Sequence, residues 1–188
     1  MDAAPETKAI SRVIAFIDEV SRHTTTAYAV VVVTALLTMT VITCVQVFYR
    51  YVLASGLFWV EEVARGSLVW LTFAGAAVGV RHGTHIAITV IYRRTRGRAR
   101  AIANLVAALV IAWVGWELIT TGWTVAEISR SDTSPSLGIS LFWYRLALPV
   151  GGVGVLVNVL PYLVRAALGI IQPRWSADQA ISSAGTEI

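Results

Sequence analysis

Sulfur and charge are both scarce in this chain. Its single cysteine, Cys44, has no partner for an internal disulfide, and it lies in an apolar run where a small packing role suits it. Three histidines and that one cysteine leave little material for a metal site. Only 14% of the 188 residues are charged, whereas a soluble domain usually carries about a quarter. There is no glycine-rich phosphate loop, no nucleophile–base arrangement and no clustered set of metal ligands. These absences point away from an enzyme and away from a bound cofactor.

Apolar residues make up 56% of the chain, and runs of about 20 of them define a helical membrane protein. The expected fold is all-α, with four transmembrane helices preceded by an N-terminal amphipathic interfacial helix. Residues 1–27 lack the basic start and cleavage site of a secretory signal. Within them Ile10, Val13, Ile14, Ile17 and Val20 recur at steps of three and four, opposite Lys8, Arg12, Asp18, Glu19 and Arg22. The membrane domain covers 28–171, with spans at 28–48, 57–80, 101–123 and 139–164, and a polar tail occupies 172–188. Gly66, Ala74, Gly75, Ala76, Ala77 and Gly79 give the second span small residues for close helix contact. The fourth holds Asn158, a glycine-rich patch at 151–154, and Pro149 and Pro161, which predict a kink. The piece 86–92 is too short to cross, and reads as a helix continuation or an interfacial segment.

The chain is basic, with 15 Lys and Arg against 11 Asp and Glu. Arg93, Arg94, Arg96, Arg98 and Arg100 crowd between the second and third spans, which marks a topology signal and a contact with anionic membrane lipid rather than nucleic acid. That loop is therefore expected in the cytoplasm, with both termini on the same side. Trp59, Trp116, Trp123 and Trp143 then fall near the outer interface as an aromatic belt, while Trp70 and Trp113 lie deeper as packing residues.

The stretch from Phe58 to His85 concentrates the remaining signal. Glu61, Glu62 and Arg65 stand near its start, and Arg81, His82 and His85 at its end. A charge near the middle of a span costs about 2.5–3.5 kcal/mol on insertion scales, so such groups face protein or water. With this topology Arg50, Glu61, Glu62, Arg65, Glu117 and Arg145 share one depth near the outer surface. Glu61 and Arg65 are spaced to pair on one helix face, and the others are placed to pair between helices. Two readings stay open: a structural network that sets packing or docking, and an ion or proton relay. Balanced signs and an outer position favour the first. His82 and His85 have the spacing of ligands on one helix face, but they read as end residues anchoring at headgroups.

The order Phe58-Trp59-x-Glu61-Glu62-x-x-Arg65, then Trp70, Phe73 and Gly75, then Arg81-x-Gly83-x-His85-Ile86, resembles the small permease (Q) subunit of tripartite ATP-independent periplasmic (TRAP) transporters. Arg50 with Tyr51 fits the same pattern, as do the chain length, the span number and the basic second loop. Spans three and four match only in general character. That family often has an acid soon after the His-Ile pair, where this chain has Thr89 and Tyr92.

The resemblance implies a scaffold subunit of a sodium-coupled secondary importer in the bacterial inner membrane. Its partners would be the large (M) permease subunit, which contains the substrate and sodium sites, and a periplasmic solute-binding protein that delivers an organic acid or similar solute. On this reading Arg50, Trp59, Glu61, Glu62, Arg65, Glu117 and Arg145 serve packing or the subunit interface, and Arg81 and His85 anchor the cytoplasmic end of span two. The competing readings are a membrane anchor of a redox enzyme, with haem or quinone near His82 and His85, and a small transporter acting alone as an oligomer.

Overall fold

The computed structural model describes residues 5–82 and 98–171, and these are helical apart from short connections. Helix α1 covers Pro5–Val52, α2 Phe58–Arg81 and α3 Arg98–Ile128. A single turn, α4 (Phe142–Arg145), leads into α5, Ala147–Ile171. Four of these stretches are long and apolar enough to cross a membrane: Arg12–Val52, Phe58–Arg81, Ile102–Ile128 and Phe142–Ala167. The segment 86–92, His85 and Arg93, Arg94 and Arg96 lie outside the described residues.

The expected N-terminal amphipathic segment and the first span form one helix. It is continuous for 48 residues, because neither glycine nor proline interrupts the sequence after Pro5 until Gly56. Proline opens it in the first turn, where its missing N–H costs no intrahelical bond. At a rise of about 1.5 Å per residue the helix is about 72 Å long, more than twice the thickness of a bilayer core. Its threonines tolerate the apolar setting by bonding back one turn: Thr24, Thr40 and Thr43 donate to the carbonyls of Val20, Leu36 and Met39. The helix ends where Ser55 N–H reaches back to Tyr49 O at 3.1 Å, with Ala54 at φ 49° in the left-handed position usually held by glycine.

Helix α3 also outruns its expected span, continuing to Ile128 through part of the connection anticipated as a loop. The Glu127–Arg130 ion pair at 3.2 Å closes that last turn. Helix α5 runs through Pro161 without interruption. Pro149 falls in its first turn, where backbone N–H groups have no intrahelical acceptor.

Helices α1, α2 and α5 pack against one another, and α3 leans on α5 with α4 beside it. Half of the most apolar stretch of the fourth span is buried, against 6%, 22% and 11% for the first three, so α5 is the hub. Its glycines make that possible. A Cβ on Gly151 would lie 2.7 Å from Phe73 Cβ of α2, and one on Gly152 would lie 2.8 Å from Gly115 O of α3. One on Gly154 would meet both Ala77 of α2 and Tyr28 of α1 at 2.6 Å. Close approach of backbones is how helices associate where burial from water offers little driving force. The core that results is small: Ala77, Val80, Ala108, Val155 and Val159, flanked by Tyr28, Ile111, Ala112 and Leu163.

Candidate functional site

Polar groups collect in two layers, one at each end of the bundle. In the outer layer Arg65 and Glu61 pair at 2.8 Å on the exposed face of α2, as their spacing predicts. The other charges of that layer do not form the interhelical ion network that their shared depth suggested. Glu62 instead accepts the backbone N–H groups of Ser136 and Leu137, each at 3.2 Å, and so fastens the loop between α3 and α4 to α2. Arg145 donates to the hydroxyl of Ser129, which in turn donates to Val125 O at 2.6 Å. Glu117 is exposed, with the Thr121 hydroxyl 3.4 Å away as its donor. Arg50 is exposed at the end of α1 and has no side-chain partner among the described residues. Glu62 and Arg145 are thus held by backbone and hydroxyl groups, which satisfy charge without the exact register an ion pair between helices demands.

The loop those bonds organise is compact. Ser134 N–H donates to Ile139 O at 2.8 Å and Gly138 N–H to Ser134 O at 2.9 Å, with Gly138 at φ +66°. A hydrogen bond from Leu141 N–H to Asp132 O at 2.9 Å returns the chain to the fourth span. Beneath it the Tyr144 ring lies over Gly66 so closely that a Cβ there would sit 2.2 Å from Tyr144 Cε1. The Trp70 indole N–H reaches Trp143 O at 3.3 Å, fixing α2 to the start of the fourth span. Trp59, Trp116, Trp123 and Trp143 are all exposed, the disposition expected of a belt. Trp113 is exposed too, at 64%, contrary to the packing role its depth suggested.

The inner layer was not foreseen as a unit. Asn158 of α5 is fully buried. Its Oδ1 accepts from Ser21 Oγ at 2.7 Å and lies 2.9 Å from Thr25 Oγ1, while its Nδ2 donates to Ala77 O at 3.0 Å. One amide therefore joins α1, α2 and α5. Arg81 adds to it, with Nη1 2.6 Å from Ser21 Oγ and 3.5 Å from Asp18 O. Its guanidinium turns in toward α1 and is only half-exposed, so it ties helices together in addition to ending α2. Tyr162 donates to Arg81 O at 2.5 Å, and Arg165 pairs with Asp18 across α5 and α1. Ser21 and Thr25 are one turn apart on the face that meets Asn158, a spacing visible in the sequence once the partner is known. His82 is exposed just past the end of α2.

Glu62, Arg81, Arg145 and Asn158 are spent on holding helices or a loop. Among the described residues no group of three or more His, Cys, Asp or Glu is placed to hold a metal ion.

The sequence model for the DctQ component of the tripartite ATP-independent periplasmic transporters matches residues 39–169. The chain belongs to the DctQ family. Among curated proteins it is similar to the sialic acid TRAP transporter small permease protein SiaQ of Vibrio cholerae, 26% identical over 140 residues that cover 73% of this chain and 81% of that protein. It is also similar to the ectoine TRAP transporter small permease protein TeaB of Halomonas elongata, 27% identical over 73% of this chain and 71% of that one. A third relative, the isethionate TRAP transporter permease protein DctMQ of Oleidesulfovibrio alaskensis, is 25% identical over 118 residues, which make up 18% of that longer polypeptide. This DctQ-family chain is a multi-pass inner-membrane transporter subunit, not an enzyme, and membership implies association with a large permease subunit and a binding protein. The match starts at Met39, so the Ser21 and Thr25 half of the inner layer lies before it and the Asn158 half within it.

Proposed function

We propose that this chain is the scaffold of a sodium-coupled, binding-protein-dependent importer of an organic acid or similar solute. The observation that carries the reading is the use of the polar groups. In a chain of the DctQ family, Glu62, Arg145, Asn158 and Arg81 all join helices or fasten a loop, which is the work of a scaffold. Translocation then belongs to the large permease subunit, and this chain steadies that subunit in the bilayer. Relatives whose names specify sialic acid, isethionate and C4-dicarboxylate support an acidic solute, while the ectoine relative widens the class.

The arginine-rich segment between α2 and α3 supports a cytoplasmic connection, with residues 1–27 and 172–188 on the same side and 28–171 as the membrane domain. The outer layer, with Glu61, Glu62, Arg65 and the 129–141 loop, then faces the periplasm, where the binding protein arrives. Arg50 and Trp59 border that surface, and Arg81 marks the cytoplasmic end of α2. The test is uptake of a panel of labelled organic acids by cells expressing this chain with its large subunit and binding protein, in sodium and in choline buffer. Sodium-dependent uptake that is impaired by Glu61→Arg or Glu62→Arg is the expected result. Uptake indifferent to sodium removes the coupling, and normal uptake and assembly in both variants removes the role given to the outer layer.

A further inference from the structure

Helix α3 meets α5 along Ala108, Gly115 and Gly122, a regular seven-residue spacing of small, buried positions. The opposite side of the same helix carries Val106, Val110, Trp113, Glu117, Thr120 and Thr124, and every one of them is exposed. These six alternate at steps of four and three, the periodicity of a seam that packs lengthwise on another helix. Three of them are polar. A face built for lipid has no use for Glu117, which stands about 9 Å inward of Trp123 at the rise of an α-helix. Its carboxylate has room for about four hydrogen bonds. The Thr121 hydroxyl, at 3.4 Å, is its one side-chain donor among the described residues. Thr120 and Thr124 satisfy their own hydroxyls on carbonyls one turn back, at 3.2 and 3.0 Å, and so present compact surfaces of the kind that helices in a bilayer pack against. Trp113, the largest of the six, is 64% exposed.

We infer that this α3 seam is the docking face for the large permease subunit, which presents an arginine or lysine to Glu117. The inference rests on the subunit reading above and adds the surface and its chemistry. Charge decides the occupant. A two-fold contact between copies of this chain along the seam would set Glu117 against Glu117 at one depth, and like charges in a low-dielectric contact repel. A different protein escapes that constraint. A chain segment like this one is also part of a longer permease polypeptide in the DctMQ relative, so the two kinds of segment work in one molecule there.

The experiment introduces a photoreactive benzophenone amino acid at Thr120, at Thr124 and, as a control on the outward face of α1, at Leu37. The chain is co-expressed with its large subunit and irradiated in native membranes. Adducts with the large subunit from Thr120 and Thr124, in excess over Leu37, are expected. In parallel Glu117→Lys should lower recovery of the large subunit with the tagged chain by about tenfold or more at unchanged membrane levels, with Glu117→Gln affected less. Second-site suppressors of Glu117→Lys should replace a basic residue of the large subunit with an acidic or neutral one. Three results overturn the inference. Co-purification of the large subunit without adducts from the seam moves the interface elsewhere and leaves the subunit reading intact. Adducts between two copies of this chain assign the seam to self-association. Failure of the unmodified chain to bring down any large subunit sinks the docking face and the subunit reading together.

Discussion

Replacing Asn158 with leucine removes the amide that joins three helices while keeping most of its volume. The wild-type side chain makes three interhelical contacts of hydrogen-bond length, to Ser21, Thr25 and Ala77. Side-chain hydrogen bonds between membrane helices average about 0.6 kcal/mol, because the separated helices find other partners. Thr25 has such an alternative, since its hydroxyl also lies 2.8 Å from Ser21 O in its own helix. The expected loss for Asn158→Leu is therefore about 2 kcal/mol, and Asn158→Ala should cost about 1–2 kcal/mol more through the cavity it leaves. The assay is reversible unfolding of the purified chain in mixed micelles with rising SDS, followed by tryptophan fluorescence. A double-mutant cycle with Thr25→Val should return a coupling of about 0.6 kcal/mol. Stability of Asn158→Leu within about 0.5 kcal/mol of wild type, together with strict additivity in the cycle, would refute the claim that this amide fixes the bundle.

Other perturbations test the remaining structural arguments. Gly152→Ala puts a methyl group 2.8 Å from Gly115 O and should cost about 1–3 kcal/mol in the same unfolding assay, whereas an alanine at Gly56, which has open space, should be near neutral. Ala54→Gly relieves a left-handed alanine whose conformation is worth about 1–2 kcal/mol against an L-residue, so even after the added chain entropy the variant should gain up to about 1 kcal/mol. Glu62→Ala frees the Ser136 and Leu137 amides. With solvent screening of a half-exposed carboxylate the local loss is about 1 kcal/mol, which hydrogen exchange should register as about fivefold faster exchange at those two amides. Asp18→Asn breaks an exposed pair with Arg165 and should change stability by no more than about 1 kcal/mol.

Much of the fold follows from local sequence. Apolar runs placed the four spans, and the absence of glycine and proline between Pro5 and Gly56 accounts for the amphipathic segment and the first span being one long helix. The small residues of α2 and the glycine patch of α5 announced close contacts, and Ala74, Ala77, Gly151 and Gly154 make them. What stayed hidden depends on the register between distant segments. Asn158 was visible in its span, but Ser21 lies 137 residues away, and no local pattern links them. The charges near the outer surface were legible as a layer. Their partners were not, because Glu62 and Arg145 bond to backbone and hydroxyl groups of a loop whose path the sequence leaves open. Depth alone also misread Trp113: hydropathy locates a residue along a span, but not the direction in which it points.

The account stands or falls on the company this chain keeps. Tagged chain drawn from its native membrane in mild detergent, with mass spectrometry of what accompanies it, tests that directly. A large polytopic permease recovered in constant ratio with the chain is the predicted result. Recovery of the chain alone as a self-oligomer, or with a flavin or iron–sulfur protein, would contradict it.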